Sequence, residues 1–223
     1  MHTGKGHIVE LVLADGRRYV RLACPPQLIP TPGQFLLASD ASDSPLPLPL
    51  FYTDSAPQGF IAAAPAPVAW SPGSTIHLRG PLGRGFSLPP AARKIALVAF
   101  DDSAARLRGL IRPALSQDAA VVLVSDSAPE DLPDDVEVQP LPVLEDILDW
   151  ADYLALDVSR ENLSVLRERL GKLNPMAGTE TQVLIRTAIP CGGFAECGVC
   201  AVTMKSEWRL ACKDGPVFDW SEL

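Results

Sequence analysis

Two hydrophobic periods divide the chain. Over residues 1–90, apolar and polar positions alternate in short runs at 7–14, 17–24, 34–38, 59–64 and 75–79, broken by proline, glycine and aspartate. A period of two is the mark of strands with one buried face, and several short strands at this spacing predict a small antiparallel β-barrel. Asp15-Gly16 between the first two runs predicts a hairpin turn. Pro45, Pro47 and Pro49 alternate with leucine. Proline cannot donate to a strand ladder, so this segment is expected to be extended and to lie at an edge or in a loop.

From 93 to 186 the period changes. Residues 94–100 and 119–125 are continuous apolar runs, which read as fully buried strands. Between them Ala104, Leu107, Leu110, Ile111 and Leu115 recur at helical spacing, with Pro113 expected to bend or restart the helix. Further strands are expected at 136–139, 152–158 and 181–186. Leu144, Ile147 and Leu148 mark one short helix, and Leu163, Leu166 and Leu170 another, with Ser159 as its N-cap. Strands alternating with helices predict a parallel, doubly wound, Rossmann-like sheet. The expected organisation is a barrel over 1–90, a Rossmann-like domain over 91–187 and a cysteine-rich segment over 188–223.

Composition narrows the function classes. The chain has 223 residues, 47% hydrophobic and 21% charged, which suits a folded domain or two with a real core. The net charge of −8, with no basic stripe, argues against nucleic-acid binding. No run approaches the roughly 20 apolar residues that span a bilayer. Charges at Lys5, Glu10, Asp15, Arg17 and Arg18 leave no signal-peptide core, so a cytoplasmic protein is expected.

Four of the five cysteines fall in one 22-residue window, Cys191, Cys197, Cys200 and Cys212, spaced C-x5-C-x2-C-x11-C. Three readings compete. A plant-type [2Fe–2S] centre uses C-x4-C-x2-C and a later fourth cysteine, one residue fewer in the first gap. Gly192, Gly193 and Gly198 would let backbone N–H groups approach the sulfurs. Lys205, Arg209 and Lys213 could offset the anionic cluster. Structural zinc also takes four thiolates but favours two C-x2-C knuckles, and only Cys197 and Cys200 form one. Disulfides belong mainly to secreted domains. A Rieske centre needs two histidines, and His2, His7 and His77 are far away in sequence. Cys24, in an apolar run, reads as a buried core thiol.

The order of these parts resembles the electron-transfer subunit of type B dihydroorotate dehydrogenase, a ferredoxin-reductase-like flavoprotein family. Four stretches carry the likeness. Pro32-Gly33-Gln34-Phe35 looks like the family's barrel P-G-Q-F. Gly80-Pro81-Leu82-Gly83-Arg84-Gly85-Phe86 looks like its G-P-L-G-x-G-F turn. The C-G-x-x-x-x-C-x-x-C run is in place. Cys212-Lys213-Asp214-Gly215-Pro216-Val217-Phe218 is similar to its C-x-D-G-P-V-F. The resemblance implies an FAD-binding-type barrel and a nucleotide domain for FAD and NADH. It implies a [2Fe–2S] cluster on Cys191, Cys197, Cys200 and Cys212, and a hetero-oligomer with an FMN-containing dihydroorotate-dehydrogenase-like catalytic subunit.

The nucleotide motifs depart from that pattern. Where the family has R-P-x-S, this chain has Leu48-Pro49-Leu50-Phe51-Tyr52-Thr53, with no arginine for a diphosphate. Tyr52 and Thr53 remain as hydroxyls that could meet a flavin. The family's G-x-G-T is replaced by a glycine-free stretch, 62–70. Its glycine-rich turn after the first Rossmann strand is replaced by Phe100-Asp101-Asp102-Ser103, whose carboxylates would repel phosphate and suit a helix N-terminus. NAD binding is therefore expected to be lost and FAD binding to be weakened.

Trp208 is expected to pack the cysteine loop, Phe218 and Trp220 to anchor the tail, Glu196 to be solvated, and Arg84 to sit exposed in its turn. The leading reading is an electron-transfer subunit, with no bond-making chemistry of its own. The alternatives are a complete FAD-dependent NADH oxidoreductase subunit and a zinc-stabilised, non-catalytic binding protein.

Overall fold

The computed structural model describes residues 1–14, 17–40, 46–63, 70–127, 129, 131–171 and 179–223. The alternating N-terminal runs form β1 (His2–Ala14), β2 (Arg17–Ala23), β3 (Phe35–Ser39), β4 (Leu48–Ala56), β5 (Gly59–Ala63) and β6 (Thr75–Leu82). They close into an antiparallel barrel in the order β1-β2-β5-β4-β3-β6. Ile8, Val20, Leu22, Leu36, Leu50, Phe60, Ile76 and Leu78 fill it. Alternation sends Phe35 and Leu37 of β3 out of the barrel into a second core. The Asp15-Gly16 turn, Pro45 and most of the 62–70 stretch lie outside the described residues.

The proline-leucine run differs from expectation. Pro49 lies inside β4, paired with Leu37, between two neighbouring strands of a closed barrel rather than at an edge. A strand N–H points to only one neighbour, so Pro49 forfeits one ladder bond. Its neighbour Leu50 is fully buried and anchors the strand.

The second half is a six-stranded sheet of order β14-β11-β10-β7-β8-β9. β7 (Lys94–Ala99), β8 (Ala120–Val124), β9 (Val136–Gln139), β10 (Tyr153–Ser159) and β11 (Glu180–Arg186) are parallel. Helices α1 (Ile111–Ser116), α2 (Leu144–Trp150) and α3 (Leu163–Gly171) connect them. Apolar layers cover both faces, which is why these strands read as unbroken hydrophobic runs. Ser159 accepts a hydrogen bond from the Asn162 N–H at 3.3 Å, the expected cap.

The helix expected over 104–115 is instead two 3₁₀ turns, Ala104–Arg106 and Arg108–Leu110, followed by α1. Pro113 has no N–H to offer the Gly109 carbonyl, so regular helix starts only where Pro113 falls in the first turn and needs no donor.

Three short strands escaped the sequence pattern. β12 (Ala201–Thr203) and β13 (Trp208–Leu210) form a hairpin, and β14 (Val217–Asp219) adds antiparallel to β11. At three residues each they are too short to show a period. The tail after the last cysteine is thus an edge strand of the Rossmann-like sheet. Among the described residues no helix is long and apolar enough to cross a membrane.

Candidate metal centre

The cysteine segment leaves β11 and turns tightly. Gly192, Gly193 and Gly198 have φ of 64°, 71° and 71°, and Ala195 takes 62° in spite of its Cβ. This winding aims backbone donors at sulfur. Burial would raise the Cys191 thiol, but the Cys197 thiol and the N–H groups of Glu196, Phe194 and Ala195 all donate to it, and they bring it down to about 6. Successive N–H groups converging on one atom make a nest for an anion.

Cys200 and Cys212 are 1% and 3% exposed and belong to the main hydrophobic core. Burial, then the Cys200 hydrogen bond and the charges of Cys200 and Cys191, push the Cys212 thiol up to about 12, while the Ala195 N–H pulls it down. Ala195 therefore faces both sides of the site. The thiols fall into two neighbouring pairs, Cys191 with Cys197 and Cys200 with Cys212, and Cys191 lies near enough to raise the Cys212 thiol. Cys197 is exposed, so one pair faces outward and the other faces the core.

This donor set fits an iron–sulfur group. Each iron of a [2Fe–2S] centre takes two cysteine thiolates, whereas structural zinc gathers four ligands at one point. The cysteines are free thiols and form no disulfide. Soft sulfur donors cradled by N–H groups are the donor set that an iron–sulfur cluster requires. Cys24, apart from the site, is half-buried in the barrel, and burial pushes its thiol up to about 11.

Both halves of the protein hold the loop. The Arg79 guanidinium of β6 donates to the Gly192 carbonyl and lies 4.1 Å over the Phe194 ring. Arg160, which follows β10, donates to the Val199 carbonyl. Two of the three cations expected to offset a cluster, Lys205 and Arg209, are engaged elsewhere. Lys205 Nζ donates to the Ser221 carbonyl at 2.7 Å, and Arg209 pairs with Glu207 and Glu222 at 2.9 Å each. Arg79 escaped the sequence reading because nothing in the chain around a strand arginine marks it as a neighbour of residues 192–194. Trp208 also differs from expectation. It is 65% exposed on the three-residue strand β13, whose other end buries Leu210, whereas Phe218 is fully buried.

Three of the motifs singled out in the sequence meet in space. Gln34 Nε2 donates to the Gly83 carbonyl at 3.0 Å, and the Phe86 N–H to the Pro32 carbonyl at 2.9 Å. The Arg84 N–H donates to the Gly215 carbonyl at 2.5 Å, and the Arg84 side chain pairs with Asp219 at 3.0 Å. The Ile185 N–H of β11 donates to Pro216. Barrel, sheet and cysteine segment share this joint.

The crevice beyond the C-terminal ends of β7 and β10, where open α/β sheets bind ligands at the point of strand reversal, is filled by the protein's own charges. Asp157, 1% exposed, accepts from Arg106 Nε and Arg186 Nε at 2.7 Å each. Arg106 also pairs with Asp102 at 2.6 Å. Arg186 pairs with Asp101, which further accepts from the Ser159 N–H and from Asn162 Nδ2. The two aspartates after β7 are thus more than helix caps. Burial pushes the Asp157 carboxyl up to about 6, with Arg106 pulling against it.

Of the two flavin candidates, Tyr52 packs against the backbone of the second 3₁₀ turn. A Cβ on Gly109 would stand 2.6 Å from its ring, and Phe60 stacks at 6.1 Å. Thr53 is buried, and its hydroxyl has no hydrogen-bond partner among the described residues.

Residues 191–223 match the family model of the iron-sulfur cluster binding domain of dihydroorotate dehydrogenase B. No curated protein matches the chain by sequence. Among solved structures the chain resembles the NADH-dependent reduced ferredoxin-NADP oxidoreductase, with TM-score 0.74 and 19% identity over 97% of this chain and 88% of that one. It also resembles the ferredoxin reductase of carbazole 1,9a-dioxygenase, with TM-score 0.63 and 16% identity over 78% and 66% of the two chains. A third likeness is the flavohem-like FAD/NAD binding domain of a nitric oxide dioxygenase from Vibrio cholerae, with TM-score 0.55 and 14% identity over 83% and 100%. The chain has a ferredoxin-reductase-like fold ending in an iron–sulfur binding segment, and it resembles the electron-transfer subunit of type B dihydroorotate dehydrogenase.

Proposed function

We propose that this chain is an electron-transfer subunit whose Cys191, Cys197, Cys200 and Cys212 hold a [2Fe–2S] cluster, and that it exchanges single electrons with a dihydroorotate-dehydrogenase-like flavoenzyme. The observation that carries the reading is the match of residues 191–223 to the iron-sulfur cluster binding domain of dihydroorotate dehydrogenase B, in a segment whose inner cysteines, Cys200 and Cys212, are buried and whose Cys197 is exposed. When bound, such a cluster supplies a one-electron couple. The chain's own residues do the rest. The four cysteines ligate, and the N–H groups of Phe194, Ala195 and Glu196 stabilise negative charge on sulfur. The core around Cys200 and Cys212 excludes water on the inner side, and exposed Phe194, Cys197 and Val199 leave the outer side open to a partner.

NADH is not the electron source in this reading. A dinucleotide phosphate would have to displace the network of Asp101, Asp102, Arg106, Asp157 and Arg186, whose carboxylates outnumber its guanidinium groups. The unpartnered Thr53 hydroxyl favours a second reading, in which FAD is retained beside the cluster through Tyr52 and Thr53.

Anaerobic purification followed by absorption spectroscopy and iron, sulfide, zinc and flavin analysis tests both. Iron and sulfide in equal amounts with charge-transfer bands, no flavin and no bleaching by NADH are expected. Stoichiometric flavin with NADH bleaching would replace this with a complete oxidoreductase. A colourless protein with one zinc, even after reconstitution with iron and sulfide, would sink the redox reading.

A further inference from the structure

We infer that Arg79 is the positioning residue of the cysteine loop and raises the reduction potential of the group the loop holds. The inference rests on the [2Fe–2S] reading above and adds a residue from the barrel to it.

Alternation along β6 puts Ile76 and Leu78 inside the barrel and His77 and Arg79 on its outer face. Arg79 is paired there with Thr3 of β1 and Leu37 of β3, so its backbone is fixed on both sides. Its guanidinium touches three consecutive loop residues. It donates to the Gly192 carbonyl, Nη2 would lie 3.6 Å from a Cβ on Gly193, and the group stacks on Phe194. Gly192 and Gly193 are the two left-handed residues that follow Cys191, and Phe194 supplies the first of the N–H groups that converge on the Cys191 sulfur. Gripping the carbonyl before these donors and the ring among them holds the nest in its winding before any metal arrives. Preorganised donors cost nothing to orient when negative charge develops.

Charge points the same way. Arg79 and Cys191 line one cleft of about 760 Å³, together with Lys5 and His77. Reduction adds an electron to an already anionic cluster, and a fixed cation beside it favours the reduced form. Arg79 Nε is buried and has no acceptor among the described residues. An unmet buried donor is costly, and this one belongs to a side chain that borders the same cleft as Cys191.

The test uses the full chain reconstituted anaerobically, with Arg79→Met, Arg79→Lys and Phe194→Leu. The readouts are a redox titration, visible circular dichroism and the rate of cluster loss to a chelator. In R79M the reduction equilibrium should shift roughly tenfold against the reduced form, about 59 mV for one electron. The same variant should lose its cluster roughly tenfold faster, with an altered visible spectrum. R79K keeps the charge but not the planar fork, so its potential should recover while its loss rate stays high. F194L should lose the cluster faster at near wild-type potential. R79M with wild-type potential, spectrum and loss rate would overturn the inference while leaving the cluster intact. A wild-type chain that takes up no cluster overturns the functional reading and this inference with it. If R79M does not fold, R79K decides, and wild-type retention and spectrum in R79K overturn the inference.

Discussion

The backbone N–H of Arg84 donates to the carbonyl of Gly215 at 2.5 Å, so the strand that leaves the barrel and the turn after the last cysteine form a single joint. Gly83 makes the approach possible. Its φ is +76°, and a Cβ there would stand 2.6 Å from both the Gly215 oxygen and Pro216 Cδ.

Gly83→Ala should therefore combine backbone strain with overpacking, about 3 kcal/mol in all. At this chain length that lowers the melting temperature by about 6–12 °C. Gly73 also has a positive φ, +89°, but open space around it, so Gly73→Ala should cost only about 1–2 kcal/mol. Thermal melts of the two variants check the contrast, and equal losses would show that the joint is looser than the geometry implies.

The buried Asp157 predicts a pH dependence with a definite sign. Its carboxyl titrates near 3.8 in the unfolded chain and is pushed up by burial to about 6 in the fold. Between these values the folded state holds a proton that the unfolded chain has released. Stability from this group thus falls as pH rises through the window and is level above it. Urea midpoints between pH 4 and 7 should show this slope in the wild type and not in Asp157→Asn. Identical slopes would place the titration elsewhere.

The four cysteines should separate by burial once metal is left out. Serine at 191, 197, 200 or 212 is expected to abolish the cluster spectrum. In cluster-free protein, Cys200→Ser and Cys212→Ser place a hydroxyl in the core and should cost about 1–3 kcal/mol. The exposed Cys197→Ser should cost within about 0.5 kcal/mol. Denaturant midpoints of the apo variants measure the difference. A cysteine variant with a full cluster spectrum would remove that residue from the ligand set.

Cys24 should behave as a slowly reacting thiol. With its pKa near 11 from burial, about one molecule in a thousand carries the thiolate at pH 8. Iodoacetamide on cluster-free protein should label exposed Cys197 well before Cys24, read by peptide mass spectrometry. Fast labelling of Cys24 would mean that the barrel opens there.

Much of this was legible along the chain because it is local. Alternation in 7–14 and 17–24 follows from a half-buried sheet face, and the apolar runs at 94–100 and 119–125 from strands covered on both sides. The cysteine spacing carries its chemistry because ligands must close on one small cluster within a short loop. The helix over 104–115 was misread because spacing alone does not show where Pro113 lets hydrogen bonding begin. Pro49 was misread because an edge and an interior strand differ in neighbours, not in sequence.

The sequence by itself determined the element types, the order of barrel, Rossmann-like sheet and cysteine segment, and which thiols stand apart from Cys24. Only the tertiary structure decided which groups face one another across long separations. It put Arg79, 113 residues before Gly192, on the cysteine loop, and took Lys205 and Arg209 away to the tail. It turned Asp101 and Asp102 into partners of Arg186 and Arg106. The physical reason is range. Period and spacing record what a residue needs from its own turn or strand, whereas a charge is satisfied by whatever the closed barrel and sheet bring within a few ångströms.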